Sequence, residues 1–244
     1  MNLKSKIALA ALALTAGTSA FAQVSYNVGV VSEYRYRGIA QTMGEPAVQG
    51  GVDYAHGSGF YLGAWGSNIS WLKDGGATKG NVEVDLYGGY KGAIGPVGYD
   101  VGYLRYEYVN NNYKDVSGAN PNTDEAYVGL SYGPVAFKYS YAFSNLFGLA
   151  DSKGSTYADL SATFDLGKGF SLTPHVGAQK IEGANSSGLS YVDYAVTLGK
   201  DFGSGFSGSL ALVTVNAQDQ DLYTNAQGYR TAKDQVILGV KYTF

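Results

Sequence analysis

The chain has 244 residues, with 35 Gly, 22 Tyr and no Cys, 15% charged residues and a formal net charge of −3. Glycine at this density excludes a helical bundle, the lack of cysteine excludes disulfide scaffolds and zinc–cysteine sites, and 45% hydrophobic content excludes disorder. The acidic balance speaks against a nucleic-acid partner and leaves one β-rich domain.

Residues 1–22 read as a secretory signal peptide. Lys4 and Lys6 make a basic start, residues 7–14 a short apolar core, and Ala20-Phe21-Ala22 an A-x-A cleavage site. The apolar core is too short for a membrane span, which argues against the alternative of an N-terminal anchor. Cleavage would leave a mature domain of residues 23–244, two lysines poorer and so more acidic. No later stretch is long and apolar enough for a transmembrane helix, but membrane strands need only about 9–11 alternating residues.

Alternation begins at once in the mature chain. Tyr26, Val28, Val30, Tyr34 and Tyr36 fall on one face, and Asn27, Gly29, Glu33, Arg35 and Arg37 on the other. Further on, Val82, Val84, Leu86 and Tyr90 oppose Glu83, Asp85, Tyr87 and Lys91. The stretch 97–108 fits less well, because Asp100 shares a face with Leu104, and Val101 with Arg105; a bulge near Gly102 would explain it. The pattern returns with Val135, Phe137, Tyr139, Tyr141 and Phe143 against Ala136, Lys138, Ser140 and Ala142. It closes the chain with Val236, Leu238, Val240, Tyr242 and Phe244. Such a period of two means strands with one apolar face.

The connections alternate in length. Gly- or Pro-marked turns fall at 56–59, 94–96, 132–134, 166–169 and 202–205, and long polar connections at 38–46, 67–80, 110–123, 144–155, 181–189 and 216–233. Five short turns and six long loops join twelve strands, with both chain ends on the short-turn side. The polar faces are rich in Gly, Ala, Ser and Thr and poor in charge. That favours an all-β, antiparallel, up-and-down transmembrane barrel over a soluble sandwich, whose outer face would carry many charges. Aromatics beside the short turns (Tyr26, Phe60, Tyr99, Tyr132, Phe164, Phe170, Phe202, Phe206) and towards the long loops (Tyr34, Tyr36, Trp71, Tyr106, Tyr108, Phe143, Tyr191) are expected to form two interfacial girdles.

The segment Ser32-Glu33-Tyr34-Arg35-Tyr36-Arg37-Gly38-Ile39-Ala40-Gln41 resembles the N-terminal signature of the TorF-type porins, a proteobacterial family also called Gcw_chp. The resemblance extends through residues 46–54 and 59–68, and through Glu83-Val84-Asp85-Leu86-Tyr87-Gly88-Gly89-Tyr90 and Arg105-Tyr106-Glu107-Tyr108. It implies a Gram-negative outer-membrane barrel with a channel role, and supplies neither a substrate nor catalytic residues. The terminal Phe244 resembles the signal by which bacterial barrels are delivered to the assembly machinery for outer-membrane insertion.

Strand phase turns Glu33, Arg35, Arg37, Gln49, Asp53, Glu83, Asp85, Lys91, Lys138, Asp159, His175, Asp193 and Lys241 inward as channel-lining residues, and Arg105 and Glu107 are expected to join them. The reason is energetic: an Arg or Lys facing lipid costs about 2–4 kcal/mol near the midplane. Mixed signs allow ion pairs across the wall, which would either brace the barrel or leave a polar passage. Eight strands enclose only side chains and sixteen leave a wide pore, so twelve point to a narrow channel for ions and small polar solutes. A non-conducting structural or surface-binding barrel acting through its long loops is the alternative. A membrane-embedded hydrolase built on His175, with Ser171, Thr173, Asp159 and Asp193 near it, is a weaker one. No nucleotide, hydrolase or metalloprotease motif occurs. Asp219 and Asp221 alone fall short of the 6–8 oxygens calcium takes, so no metal or cofactor is expected.

Overall fold

A computed structural model describes residues 22–183 and 186–244. The expected export signal therefore lies outside the described residues, apart from Ala22. The strands are β1 (Gln23–Val31), β2 (Arg35–Tyr36), β3 (Ile39–Ala40), β4 (Ala47–Ala55), β5 (Phe60–Asn68), β6 (Val82–Ile94), β7 (Val97–Tyr108) and β8 (Thr123–Tyr132). They continue as β9 (Val135–Ala142), β10 (Thr156–Ala162), β11 (Phe164–Gly167), β12 (Phe170–Lys180), β13 (Tyr191–Gly203), β14 (Phe206–Ala217) and β15 (Gln235–Thr243). Two single-turn helices, α1 (Trp71–Asp74) and α2 (Lys114–Ser117), and a 3-10 turn at Asp221–Tyr223 sit in the long loops.

Apart from the small β2–β3 hairpin, every strand pairs antiparallel with its neighbours in one sheet. β10 and β11 both pair with β12 and act as one wall strand interrupted at Thr163, so the wall has twelve strands. The sheet closes where β1 meets β15, from Asn27↔Thr243 to Val31↔Gly239. Both ends of the described chain lie at the short-turn rim, where Tyr26 and Phe244 exchange two backbone hydrogen bonds and stack their rings.

The outer face is apolar around the wall. Val28, Leu62, Val101, Leu130, Leu210 and Leu238 are exposed, as are the short-turn aromatics Tyr26, Phe60, Tyr132, Phe202 and Phe206. An apolar band of this extent cannot face water in a monomer but matches a bilayer. The inner face carries Gly, Ser, Thr, Tyr and the ionisable groups. Hydrophobic side chains also pack inside the long-loop end, where Tyr34, Ile69, Leu72, Tyr106 and Tyr108 form a buried cluster beneath the loops.

Two details differ from the sequence reading. β7 has no bulge: its register with β6 runs unbroken from Glu83↔Tyr108 to Ile94↔Val97. Of the aromatics expected in the long-loop girdle, Tyr34, Tyr106, Tyr108 and Tyr191 are buried inside the barrel, while Phe143 is exposed. Tyrosine hydroxyls need hydrogen-bond partners that lipid cannot offer, and those of Tyr34 and Tyr106 find carboxylates in the lumen, Glu83 and Glu125.

Candidate functional site

The lumen takes its shape from the first long loop. β1 ends at Val31, and the chain then leaves the wall and folds inward as the β2–β3 hairpin. Arg37 and Gly38 form its two-residue tip, both with positive φ (48° and 79°), the geometry a tight hairpin turn requires. The tip is wedged against β13 and β14. A Cβ on Gly38 would lie 2.6 Å from Val215 Cγ2 and 2.7 Å from Asp193 Cβ, so only glycine fits there.

Arg37 reaches across the barrel. Its guanidinium donates in a bidentate pair to Glu125 on β8 (2.9 and 2.6 Å) and to Gln179 Oε1 on β12 (3.0 Å), and lies 4.3 Å from the ring centre of Tyr157 on β10. Both partners of the ion pair are buried, with side-chain exposures of 6% and 2%. The base of the loop is tied down separately. Arg35 donates to Glu33 (2.8 Å) and to the backbone carbonyls of Gly38 and Lys233. Glu33 also accepts from the Gly44 amide (2.8 Å) and from the Tyr229 hydroxyl in the last loop. Burial and this carboxylate push the Tyr229 phenol up to about 12. Tyr34 donates to Glu83 on β6 (2.9 Å), and Tyr36 touches Tyr106 and Phe147. The outer half of the lumen is thus filled by a fastened hairpin.

Below it the wall repeats one device, a tyrosine hydroxyl donating to a carboxylate. Tyr61 donates to Asp100 (2.6 Å), Tyr87 to Asp53 (2.5 Å) and Tyr157 to Asp193 (2.9 Å). Lys138 lays its ammonium 4.1 Å from the centre of the Tyr127 ring, and Lys91 lies 5.5 Å from that of Tyr61. His175 sits between two carboxylates, with Nε2 2.8 Å from Asp159 and Nδ1 3.5 Å from Asp193. The hydroxyl that meets its ring is the Tyr157 phenol (3.4 Å). Ser161 stands opposite His175 in the register, with no hydrogen bond between them among the described residues. No group of three metal-ligating side chains occurs among the described residues.

The register turns Gln49, Asp53, Glu83, Asp85, Lys91, Lys138, Asp159, His175, Asp193 and Lys241 inward. Glu33, Arg35 and Arg37 are also inside, but on the folded-in loop and not on a wall strand as the alternation predicts. Arg105 and Glu107 are the correction. Since β7 has no bulge, they share the outer face with exposed Val101 and Tyr103, and Arg105 pairs there with Glu107 (2.7 Å) and Asp124 (3.1 Å). They lie in the last turnings of β7 towards the long-loop rim, where a lipid-side charge costs only about 0–1 kcal/mol. Asp100 and Glu125, which the sequence reading leaves out, face inward and are buried. Strict alternation counted from Val97 and from Leu130 would have found both.

The model of a family described as "Bacterial protein of unknown function (Gcw_chp)" matches residues 15–244. The chain belongs to the Gcw_chp family. No curated protein matches it. Among solved structures, this Gcw_chp barrel is similar to the KdgM porin at 10% identity, covering 92% of this chain and 99% of that one with a TM-score of 0.56. It is similar to the NanC porin at 12% identity, covering 91% and 99% with a TM-score of 0.55. An outer-membrane channel from Pseudomonas putida F1 matches at 13% identity, covering 90% and 94% with a TM-score of 0.50. At such identities the likeness speaks for the fold: the Gcw_chp chain has the barrel of outer-membrane porins.

Proposed function

We propose that this Gcw_chp barrel is a narrow outer-membrane channel for ions and small polar solutes, constricted by its first loop. One observation carries this reading: the interior of a closed, lipid-matched wall is built from ionisable groups and phenols. Buried ion pairs add little stability over apolar packing of the same volume, so a barrel serving only as structure has no need of them. The Arg37–Glu125 pair crosses the lumen and would constrict such a passage with charge. The fold shared with porins supports the same reading. Outer-membrane lipid is the proposed surrounding and the barrel-assembly machinery the partner during insertion. Channel activity is tested by reconstituting the purified protein in planar bilayers and by liposome swelling with a panel of solutes. Discrete conductance steps are expected.

The cover of loops over the long-loop end, packed around Leu72, Tyr106 and Tyr108, favours a second reading, a non-conducting barrel that acts through its loops. Silent bilayers containing correctly folded protein would favour it.

A further inference from the structure

The chain has two histidines. His56 lies in a short turn against Ser58, and His175 stands inside the barrel on β12. Imidazole is the side chain whose ordinary change of charge falls between about pH 5 and 8. Both ring nitrogens of His175 face carboxylates, Nε2 at 2.8 Å from Asp159 on β10 and Nδ1 at 3.5 Å from Asp193 on β13. A neutral ring carries one N–H and serves one of them; only the imidazolium serves both.

The second of these carboxylates lies under the tip of the first-loop hairpin. Asp193 Cβ is 2.7 Å from where a Cβ on Gly38 would stand. Asp193 accepts from the Tyr157 hydroxyl (2.9 Å), and the Tyr157 ring carries the Arg37 guanidinium 4.3 Å from its centre. A Cβ on Gly177 would overlap that hydroxyl and lie 2.6 Å from Asp193 Oδ1, so β12 leaves bare the place where the two meet. Two further ionisable groups face the cluster. Lys138 on β9 stands opposite Asp159 in the register with its ammonium on Tyr127, and Glu125 on β8 holds Arg37. Once His175 is neutral, Arg37, one tyrosine ring away, is the cation left beside Asp193.

Resting on the channel reading, we propose that His175 is a proton switch for the first-loop hairpin. The imidazolium neutralises Asp159 and Asp193 and leaves Arg37 to Glu125, so the pair spans the lumen. When the ring loses a proton, the shorter contact to Asp159 keeps the remaining N–H, and a bare Nδ1 faces Asp193. Asp193 then lacks a counter-charge and competes with Glu125 for Arg37. The crossing loosens, and the passage is wider above the titration than below it.

The test reads the protein at about pH 5.5 and pH 8 in two ways, as single-channel conductance in planar bilayers and as the rate at which a nonspecific protease cuts the first loop in detergent. The wild type is expected to conduct about twofold more at the higher pH. His175→Gln cannot gain the proton, so it should show the higher conductance at both values. At pH 5.5 its loop should be cut about threefold faster than that of the wild type, while at pH 8 the two should be cut alike. The comparison at equal pH removes the protease's own pH dependence. Asp193→Asn removes the competitor for Arg37 and should hold the lower conductance and the slower cutting at both values. If His175→Gln does not fold, as judged by heat-modifiable gel migration, Asp193→Asn decides. Steps of equal size at both pH values, or a pH response that survives in the folded variants, overturn the switch and leave the channel standing. Silent bilayers with folded protein overturn the channel, and the cutting rates then decide the switch: rates that do not separate wild type from variant at pH 5.5 overturn it as well.

Discussion

Arg37 is gripped by groups from β8, β10 and β12, and its partners lie 88 and 142 positions away in the chain. Replacing it with Ala would leave Glu125 buried and unpaired, a loss of about 3–5 kcal/mol. The temperature at which the detergent-solubilised barrel changes its gel migration should fall accordingly, and Arg37→Lys should not restore it, because an ammonium cannot form the bidentate pair. Adding Glu125→Gln to Arg37→Ala should recover part of the loss. Tyr229 makes a separate, pH-dependent claim. Its pKa is raised from the usual 10 to about 12 in the folded state, so its contact with Glu33 contributes fully below pH 10 and is lost as pH climbs through 12. Tyr229→Phe should therefore weaken resistance to denaturation at neutral pH and make no difference near pH 12, as read from paired unfolding curves. At this scale the sequence was legible where strand phase was regular. Asp100 and Glu125 escape the sequence reading although strict alternation reaches both, and Arg105 and Glu107 are misplaced because a charge needs the lumen at the midplane but not at the rim.

On the proposed channel reading, the first loop is the element that sets conduction. In sequence its alternation, Tyr34 and Tyr36 against Arg35 and Arg37, reads as a continuing strand. The departure from the wall is decided by distant contacts: Glu83 for Tyr34, Glu125 for Arg37, Tyr229 for Glu33. Such contacts leave no local signature, so the inward fold could not be read from the segment. Gly38 is its weak point, since a methyl group there would collide with Val215 and Asp193 at a backbone angle unfavourable to other residues. Gly38→Ala should push the hairpin off β13 and β14. Single-channel conductance should rise by about twofold or more as the constriction opens, and protease should cut the first loop faster. Unchanged conductance with a displaced loop would show that the hairpin is not the constriction.

At the scale of the molecule, twelve strands, short turns at one rim and long loops at the other were all readable, because each strand repeats the same period and each turn is marked by Gly or Pro. The terminal Phe244 has a place in this closure that the sequence did not reveal. It stacks on Tyr26 and Tyr242 and hydrogen-bonds Tyr26 across the β1–β15 seam. Deleting it should lower the amount of barrel in the outer membrane, measured by fractionation of cells, and what does insert should lose its folded gel migration at a lower temperature. Equal levels with equal heat stability would remove both the delivery and the seam roles.

The most direct measurement of the central claim is single-channel recording of the purified, folded protein in planar bilayers under a salt gradient. A narrow lumen lined by carboxylates and tyrosines predicts small discrete steps with a reversal potential on the cation side, shifted further in that direction when Arg35 and Arg37 are both replaced by Ala and screening is weakened by low salt. Bilayers that remain silent while gel migration shows intact barrel, or steps that prefer anions, would contradict it.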